Sequence, residues 1–244
     1  MSSTALPSSP HLWPRLYIEG GFDSRETLIL DEAQSHYLRH VLRLDAGDYV
    51  RVFHPDSGEF AGHVELQGKK GCSVTFGKML REPFVATGEL HLFFSPLKKE
   101  RLDFLIEKAV ELGVTHLHPV LFQRSMVRDI KVERIKTQMT EAAEQCERLD
   151  IPFLVPLCAV KKSFTAWNEE IPVFCALERA DYLPLQRSAQ ECGIERGFLV
   201  GPEGGVAPEE VEFLLHQSFV VPVSLGSRIL RAETAALFGL SLLQ

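Results

Sequence analysis

The stretch GFLVGPEGGVAPEE, residues 197 to 210, contains three successive local patterns. The apolar run from Gly197 to Val200 predicts a buried strand, and the glycine-rich segment Gly201 to Gly205 predicts a tight turn. Pro208 and the acids that follow it are typical of a helix start, where proline fits and the helix dipole favours carboxylates. A strand, a glycine turn and a helix in this order indicate an α/β fold.

The same alternation of strands and helices extends over residues 90–244. Strands are predicted at 90–94, 114–122, 171–177, 198–200 and 219–223. One helix is predicted after the first strand, with an apolar stripe from Leu102 to Val110 and an end at Gly113. Further helices are predicted over 131–148, 208–216 and 231–243. Apolar strands that alternate with helices predict a mostly parallel sheet covered by helices on both faces.

The first part of the chain has a different pattern. Residues 14–82 contain short runs of period two separated by turn residues, with one helix that begins near Asp31, and predict a small β-barrel. A linker is predicted around residues 82–89, where the pattern changes. Residues 1–13 are expected to form a flexible tail, because they lack the basic and apolar regions of a secretory signal.

Composition excludes several classes of protein. Apolar residues make up 45% of the 244 residues and charged residues 24%, and the longest apolar run is broken by prolines, so no membrane span is expected. Five scattered cysteines without a C-x-x-C pair indicate reduced thiols and a cytoplasmic location. The net charge of −7 argues against a protein that coats nucleic acid indiscriminately, but it allows a local basic surface.

In a parallel α/β sheet, ligands bind outside the carboxyl ends of the strands. The loops expected there are Gly201–Gly205, Ser224–Arg231 and Glu178–Asp181. Neither G-x-G-x-x-G nor a P-loop is present, and the Glu203 carboxylate would repel a phosphate. A plain structural turn is one interpretation. The other is a loop for a ligand with an adenosine, a carboxylate and a positive sulfonium, which describes S-adenosylmethionine.

Several segments together resemble one family. They are GPEGG (201–205), LGSRILRAETAAL (225–237), KKERLDF followed by EKAVELGV (107–114), EAAEQCERLDIP (141–152), and the N-terminal PRLY and HVLRL. In this order they are similar to the ribosomal RNA small subunit methyltransferase E family, within the knotted SPOUT methyltransferases. Two positions depart from the family pattern, Ala232 in place of threonine and Ala207 in place of a serine helix cap.

The resemblance implies a PUA-like β-barrel for RNA binding (14–82), followed by a SPOUT methyltransferase domain (90–244) with a deep C-terminal trefoil knot. It also implies S-adenosylmethionine as cofactor, a homodimer through the knot, and methylation of ring N3 of a specific uridine in 16S rRNA of the assembled small subunit. Cofactor contacts are expected at Leu177, Glu178, Gly201, Pro202, Glu203, Gly204, Gly205, Leu225, Gly226, Ile229, Leu230 and Arg231.

Arg231, and after it Arg228, is expected beside the uracil oxygens, because a guanidinium offers fixed donors to a delocalised anion. The alternative is a structural ion pair of either arginine with Glu233 or Glu203. Those two carboxylates are also the proposed proton acceptors at N3, a role that requires a raised pKa. Contacts with RNA phosphates are expected from Arg15, Arg43, Arg124 and Arg148.

No metal is expected, because His116 and His118 lie on one strand without further recognisable zinc ligands. Two other functions stay open at this point. One is a methyltransferase of the same fold that acts on a different RNA position or on a ribose 2′-hydroxyl. The other is an RNA-binding protein with a degenerate knot and no chemistry.

Overall fold

The computed structural model describes residues 9–177, 182–190 and 193–244. The chain divides into two compact units. The N-terminal unit runs up to Val85 and includes Glu147–Asp150, whereas the C-terminal unit holds Ala86–Cys146 and Ile151–Gln244. Domain boundaries at 82 and 90 stay predictions. The position of Glu147–Asp150 within the N-terminal unit was not anticipated.

The N-terminal unit contains a five-stranded sheet with the order β1-β3-β4-β5-β2. The strands are β1 Arg15–Tyr17, β2 Leu28–Ile29, β3 Tyr49–His54, β4 Gly58–Gln67 and β5 Gly71–Arg81. Strands β3, β4 and β5 form an antiparallel meander, while β1 pairs in parallel with β3. Helix α1, Glu32–His36, begins at a capping box between Asp31 and Gln34 and continues into a π-helical turn, Tyr37–Val41.

Part of the predicted tail is held against this sheet. Pro10–Leu12 form a short 3₁₀ turn, and the Trp13 ring stacks on Tyr49 with 4.5 Å between the centroids. The Arg51 guanidinium donates hydrogen bonds to the carbonyls of Trp13 and His11. A flexible tail is therefore the wrong description for residues 10–13. Residues 1–8 lie outside the described residues.

The C-terminal unit contains a seven-stranded sheet with the order β12-β10-β11-β6-β7-β8, in which β9 also pairs with β7. Its strands are β6 Leu90–Phe94, β7 His116–Leu121, β8 Phe153–Leu154, β9 Cys158–Ala159, β10 Val173–Ala176, β11 Arg196–Val200 and β12 Val220–Val223. All the pairings are parallel. The predicted α/β fold is therefore confirmed, while the trefoil knot stays a prediction.

Helices cover both faces of this sheet. They are α2 Lys99–Glu111, α3 Val132–Gln145, α4 Val160–Thr165, α5 Leu185–Ser188, α6 Pro208–Leu215 and α7 Ala232–Leu242. Along β6, Leu92 and Phe94 belong to the core beneath α2, α3 and α7, while Phe93 belongs to the core beneath α4 and α6. Successive strand side chains point to opposite faces, so burial on both sides explains why these strands are continuously apolar.

Candidate active site

Three adjacent strands of the C-terminal unit end at the same level. Ala176 at the end of β10 is in register with Val200 of β11 on one side and with Val223 of β12 on the other. The segments that follow these residues begin with Leu177, Gly201 and Ser224. The sheet thus brings the starting points of the predicted loops to one edge, where α/β proteins bind ligands.

Each glycine of the Gly201–Gly205 loop is favoured by the local geometry at its position. A Cβ on Gly201 would lie 2.7 Å from Val206, and a Cβ on Gly204 would lie 3.0 Å from the Arg124 carbonyl oxygen. Gly205 has a φ of +74°, and its N–H donates to the Pro202 carbonyl. Local structure therefore explains these glycines, because the close backbone approach and the positive φ favour a residue without a side chain.

Most backbone groups of the loop between β12 and α7 make no hydrogen bond to another described residue. Gly226 has a φ of +109°, and its N–H donates to the Ser224 hydroxyl at 3.2 Å. Among the described residues, this is the one hydrogen bond made by the backbone of Leu225 to Leu230. Leu225 and Leu230 are half-buried against the core, and Ile229 is exposed. The loop therefore offers unpaired donors and acceptors to a ligand.

Arg228 and Arg231 are both exposed on this loop. Neither side chain makes an ion pair or hydrogen bond within the described part of the chain, so the expected alternative, a pairing with Glu203 or Glu233, is excluded there. Arg231 occupies the N-cap position of α7 without capping it through its side chain. Both guanidinium groups are therefore available to an anionic ligand.

Glu203 and Glu233 instead face Arg101, in the first turn of α2. The Arg101 guanidinium forms an ion pair with Glu203, and its Nε atom lies 3.7 Å from Oε1 of Glu233. Glu233 is buried, and its Oε2 atom has no hydrogen-bond partner among the described residues. A buried carboxylate oxygen of this kind needs a polar partner such as water or a ligand group. Sequence reasoning missed Arg101.

A fourth loop, which follows β7, approaches the Gly201–Gly205 loop. The Ser125 hydroxyl lies 2.8 Å from the Ser95 hydroxyl and accepts the Phe122 N–H, so both strand ends are tied together. Glu210 of α6 accepts the Gln123 N–H at 2.8 Å. These bonds fix the backbone on which the exposed Arg124 lies, beside Gly204.

An open cavity of about 490 Å³ lies along α6 next to Arg124. Its wall is mostly apolar and consists of Arg124, Val206, Pro208, Val211, Glu212, Leu215 and His216. The cavity adjoins the glycine loop, but it contains none of the residues predicted to bind the cofactor. The candidate site is therefore defined by the loop backbone groups that are available to a ligand, and not by this cavity.

The remaining predicted site residues differ in their burial and in whether the structure describes them. Leu177 is buried in the core beneath α4 and α6, which leaves its backbone as the group for a ligand. Glu178 lies outside the described residues. Arg43 is exposed with a φ of +57°.

The buried position of Arg15 argues against the predicted contact with RNA. Its side chain is 1% exposed and bonds Glu59 at 2.8 Å, while Arg51 and Arg81 lie 3.6 and 3.5 Å from the same carboxylate. A buried guanidinium is unavailable to a phosphate, so its role is that of an ion pair in the core of the N-terminal unit. Arg148 is also mostly buried, and it bonds Asp150 at 2.6 Å.

No helix among the residues with described structure has the length and apolar character needed to span a membrane.

Two family descriptions match the chain. An RNA methyltransferase domain matches residues 86–244, and an RNA methyltransferase PUA domain matches residues 30–77. The chain is 30% identical to ribosomal RNA small subunit methyltransferase E of Rickettsia conorii, with 91% of each chain covered.

Two solved structures were determined with S-adenosylmethionine bound. A methyltransferase of Legionella pneumophila superposes with a TM-score of 0.84 at 27% identity, over 95% of this chain and 97% of that one. Ribosomal RNA small subunit methyltransferase E of Neisseria gonorrhoeae superposes with a TM-score of 0.81 at 26% identity, over 94% and 95% of the two chains.

Proposed function

Because the chain belongs to the ribosomal RNA small subunit methyltransferase E family, we propose that it methylates ring N3 of one uridine in 16S rRNA with S-adenosylmethionine as methyl donor. The observation that carries this proposal is that three strands end at one sheet edge, where the loop after β12 has backbone groups and two arginine side chains without partners among the described residues. Free backbone groups suit an adenosyl ligand, and exposed guanidinium groups suit an anionic base.

The loop residues fit the proposed cofactor. The backbone of Leu225–Leu230 supplies donors and acceptors for adenine and ribose, and Gly201–Gly205 allows close approach from the neighbouring loop. Pro202, Glu203, Gly204 and the backbone at Leu177 complete the proposed contacts. The Oε2 atom of Glu233, which has no hydrogen-bond partner in the described part of the chain, is a further polar group at the start of α7. The bound cofactor supplies an electrophilic methyl group attached to a positive sulfur.

The protein positions the uracil and stabilises its deprotonated, negatively charged form. Uracil N3 must lose its proton before it can attack, and the resulting anion is delocalised over both ring oxygens. Arg231, and with it Arg228, donates hydrogen bonds to those oxygens and stabilises the anion. Glu203 and Glu233 are the proposed proton acceptors, with Arg101 holding both carboxylates in place.

The target is proposed to be rRNA within the assembled small subunit in the cytoplasm, and the active form a homodimer through a knotted C-terminal domain. Arg124 and Arg43 are the exposed arginines proposed to contact RNA phosphates. The target base must leave its stack to expose N3, as with other enzymes that modify bases.

Nucleoside analysis of 16S rRNA tests the reaction. A strain without the gene should lack 3-methyluridine in 16S rRNA, and wild-type protein should restore it whereas an Arg231→Ala variant should not. Persistence of 3-methyluridine in a strain with no second such enzyme would contradict the target. Loss of a 2′-O-methyl nucleoside instead would identify the ribose-directed alternative.

A further inference from the structure

A cluster of titratable side chains lies at the amino ends of β6 and β7, at the opposite edge of the sheet from the candidate active site. His91 Nε2 lies 2.9 Å from the Glu89 carboxylate, and the His91 and His116 rings stack with 4.4 Å between centroids. One ligand atom from each of Glu89, His91 and His116 can be chosen so that all three lie within 4.8 Å of one another. Strand β6 has five residues between the two edges, a length of roughly 13 Å.

Hydrogen bonds at the Nδ1 atoms can fix the tautomer of both imidazoles. His91 Nδ1 lies 3.0 Å from His118 Nε2, and His116 Nδ1 lies 3.0 Å from the Thr115 hydroxyl. With a proton on each Nδ1 atom, both Nε2 lone pairs are free to bind a cation. Metal-binding histidines commonly donate their other ring N–H to such partners.

The contact between His91 and Glu89 has two chemically sensible forms. In the first, His118 donates to His91 Nδ1, and His91 donates its Nε2 proton to Glu89. In the second, His91 donates from Nδ1 to His118, so the Nε2 lone pair faces the Glu89 carboxylate and a cation is needed between them. The change moves one proton within each ring and releases none.

The cluster is also accessible in the way that a metal site requires. The Glu89 side chain is 46% exposed and His116 is half-buried, which leaves a path for an ion and for completing waters.

We propose that Glu89, His91 and His116 bind one Zn²⁺ ion, with water completing four-coordination. Two imidazoles and one carboxylate form a known zinc ligand set, with ligand bonds of about 2.0–2.2 Å. The ion would link β6 to β7 and stabilise the amino edge of the sheet. The sequence gives no local zinc motif around His116 and His118, so no metal was expected; the pairing of β6 with β7 brings His91 next to His116.

Calorimetry with ZnCl₂ on the tag-free full-length protein, after chelator treatment, tests the site. Saturable binding is expected, and His116→Gln and Glu89→Gln should each weaken Zn²⁺ affinity by at least about 100-fold, since even outer-shell changes cost 10–100-fold. Exposed controls in the same unit, His216→Gln and Glu209→Gln, should leave the affinity unchanged. Absence of binding, or binding that both ligand variants retain, would overturn the proposal.

Trp167 provides a second measurement that is independent of methylation. Its ring lies edge-on to His91 and His118, with centroids 4.8 and 5.5 Å apart. A Trp13→Phe background leaves Trp167 as the remaining tryptophan. Titration with ZnCl₂ should change its fluorescence, with the same midpoint concentration as in calorimetry. His116→Gln should shift that midpoint by the same factor. A fluorescence signal insensitive to zinc at saturating calorimetric concentrations would contradict this location.

Discussion

The Arg231 guanidinium lies exposed at the start of α7 without an ion pair among the described residues. Arg231→Ala should therefore lower kcat by about 10²–10³-fold, the usual cost of removing one preorganised donor to a developing anion. The free energy of unfolding should change by less than about 0.5 kcal/mol, because the side chain packs against little. Single-turnover methylation and urea unfolding measure the two effects.

Arg196→Ala is the matched control, since Arg196 lies at the amino end of β11, away from the loops. It should retain the wild-type rate. Wild-type single-turnover rates in Arg231→Ala itself would remove the proposed role of this arginine.

Arg101 connects two acidic residues that are far apart in sequence. Arg101→Ala should lower the free energy of unfolding by about 1–2 kcal/mol, because it leaves the buried Glu233 without its cation, while partial exposure of Arg101 limits the loss. Glu233→Gln in the Arg101→Ala background should recover part of that loss, since it removes the unpaired charge. Urea unfolding of the two single variants and the double variant measures the coupling.

Lys99→Ala, on the same exposed turn of α2, should have little effect and serves as the control. Equal unfolding free energies for Arg101→Ala and wild type would show that the ion pair does not stabilise the fold.

At the scale of single residues, the sequence indicates which side chains suit the reaction, but it does not indicate which residues they contact. The arginines at 228 and 231 belong to a local motif, whereas Arg101 is brought to Glu203 and Glu233 by the packing of α2 near a distant loop and the first turn of α7. The burial of Arg15 depends on Glu59, which is 44 residues away, so no local pattern indicates it. Contacts between distant segments leave no local pattern.

The contact between α7 and β11 depends on the absence of one side chain. A Cβ at Gly239 would lie 2.1 Å from Cζ of the fully buried Phe198 ring. Gly239→Ala should therefore lower the free energy of unfolding by about 1–3 kcal/mol through overpacking, although alanine favours helix by about 1 kcal/mol over glycine. Urea unfolding measures the change.

Thr234→Ala, on the exposed face of α7, should leave stability within about 0.5 kcal/mol and shows that the helix tolerates alanine. A double variant with Phe198→Leu should lose less stability than the sum of its two single variants. Strict additivity would contradict a direct clash.

Long elements with strong periodicity were predicted well, and short ones were not. Helices α2, α3, α6 and α7 and strands β6, β7 and β10 to β12 lie where the apolar patterns place them, with ends shifted by a few residues. The two-residue strands β8 and β9 and the short helices α4 and α5 were missed. Each is too short to show a period and exists because neighbouring strands and helices pack against it.

At the scale of the whole molecule, the proposed assembly is a homodimer. Light scattering on the purified protein should give twice the chain mass of 27.4 kDa. The Arg231→Ala variant should give the same mass, because its expected defect is in the reaction and not in assembly. A wild-type mass of one chain at micromolar concentration would contradict the dimer but not the chemistry of the loops.

Family and reaction could be proposed from sequence because several ordered motifs span nearly the whole chain. The zinc cluster could not, since Glu89 and His91 reach His116 only through pairing of β6 with β7. The net charge of −7 is likewise only the sum of all charges in the chain. Contact with RNA depends on where exposed arginines such as Arg124 lie on the surface.

Isothermal calorimetry of the tag-free protein with S-adenosylmethionine tests most directly whether these loops hold a methyl donor. We expect saturable binding of S-adenosylmethionine and no detectable binding of ATP in the same range, because the glycine loop carries Glu203 and lacks a phosphate-binding lysine. A folded protein that binds ATP, or that gives no saturable heat with S-adenosylmethionine, would contradict the account.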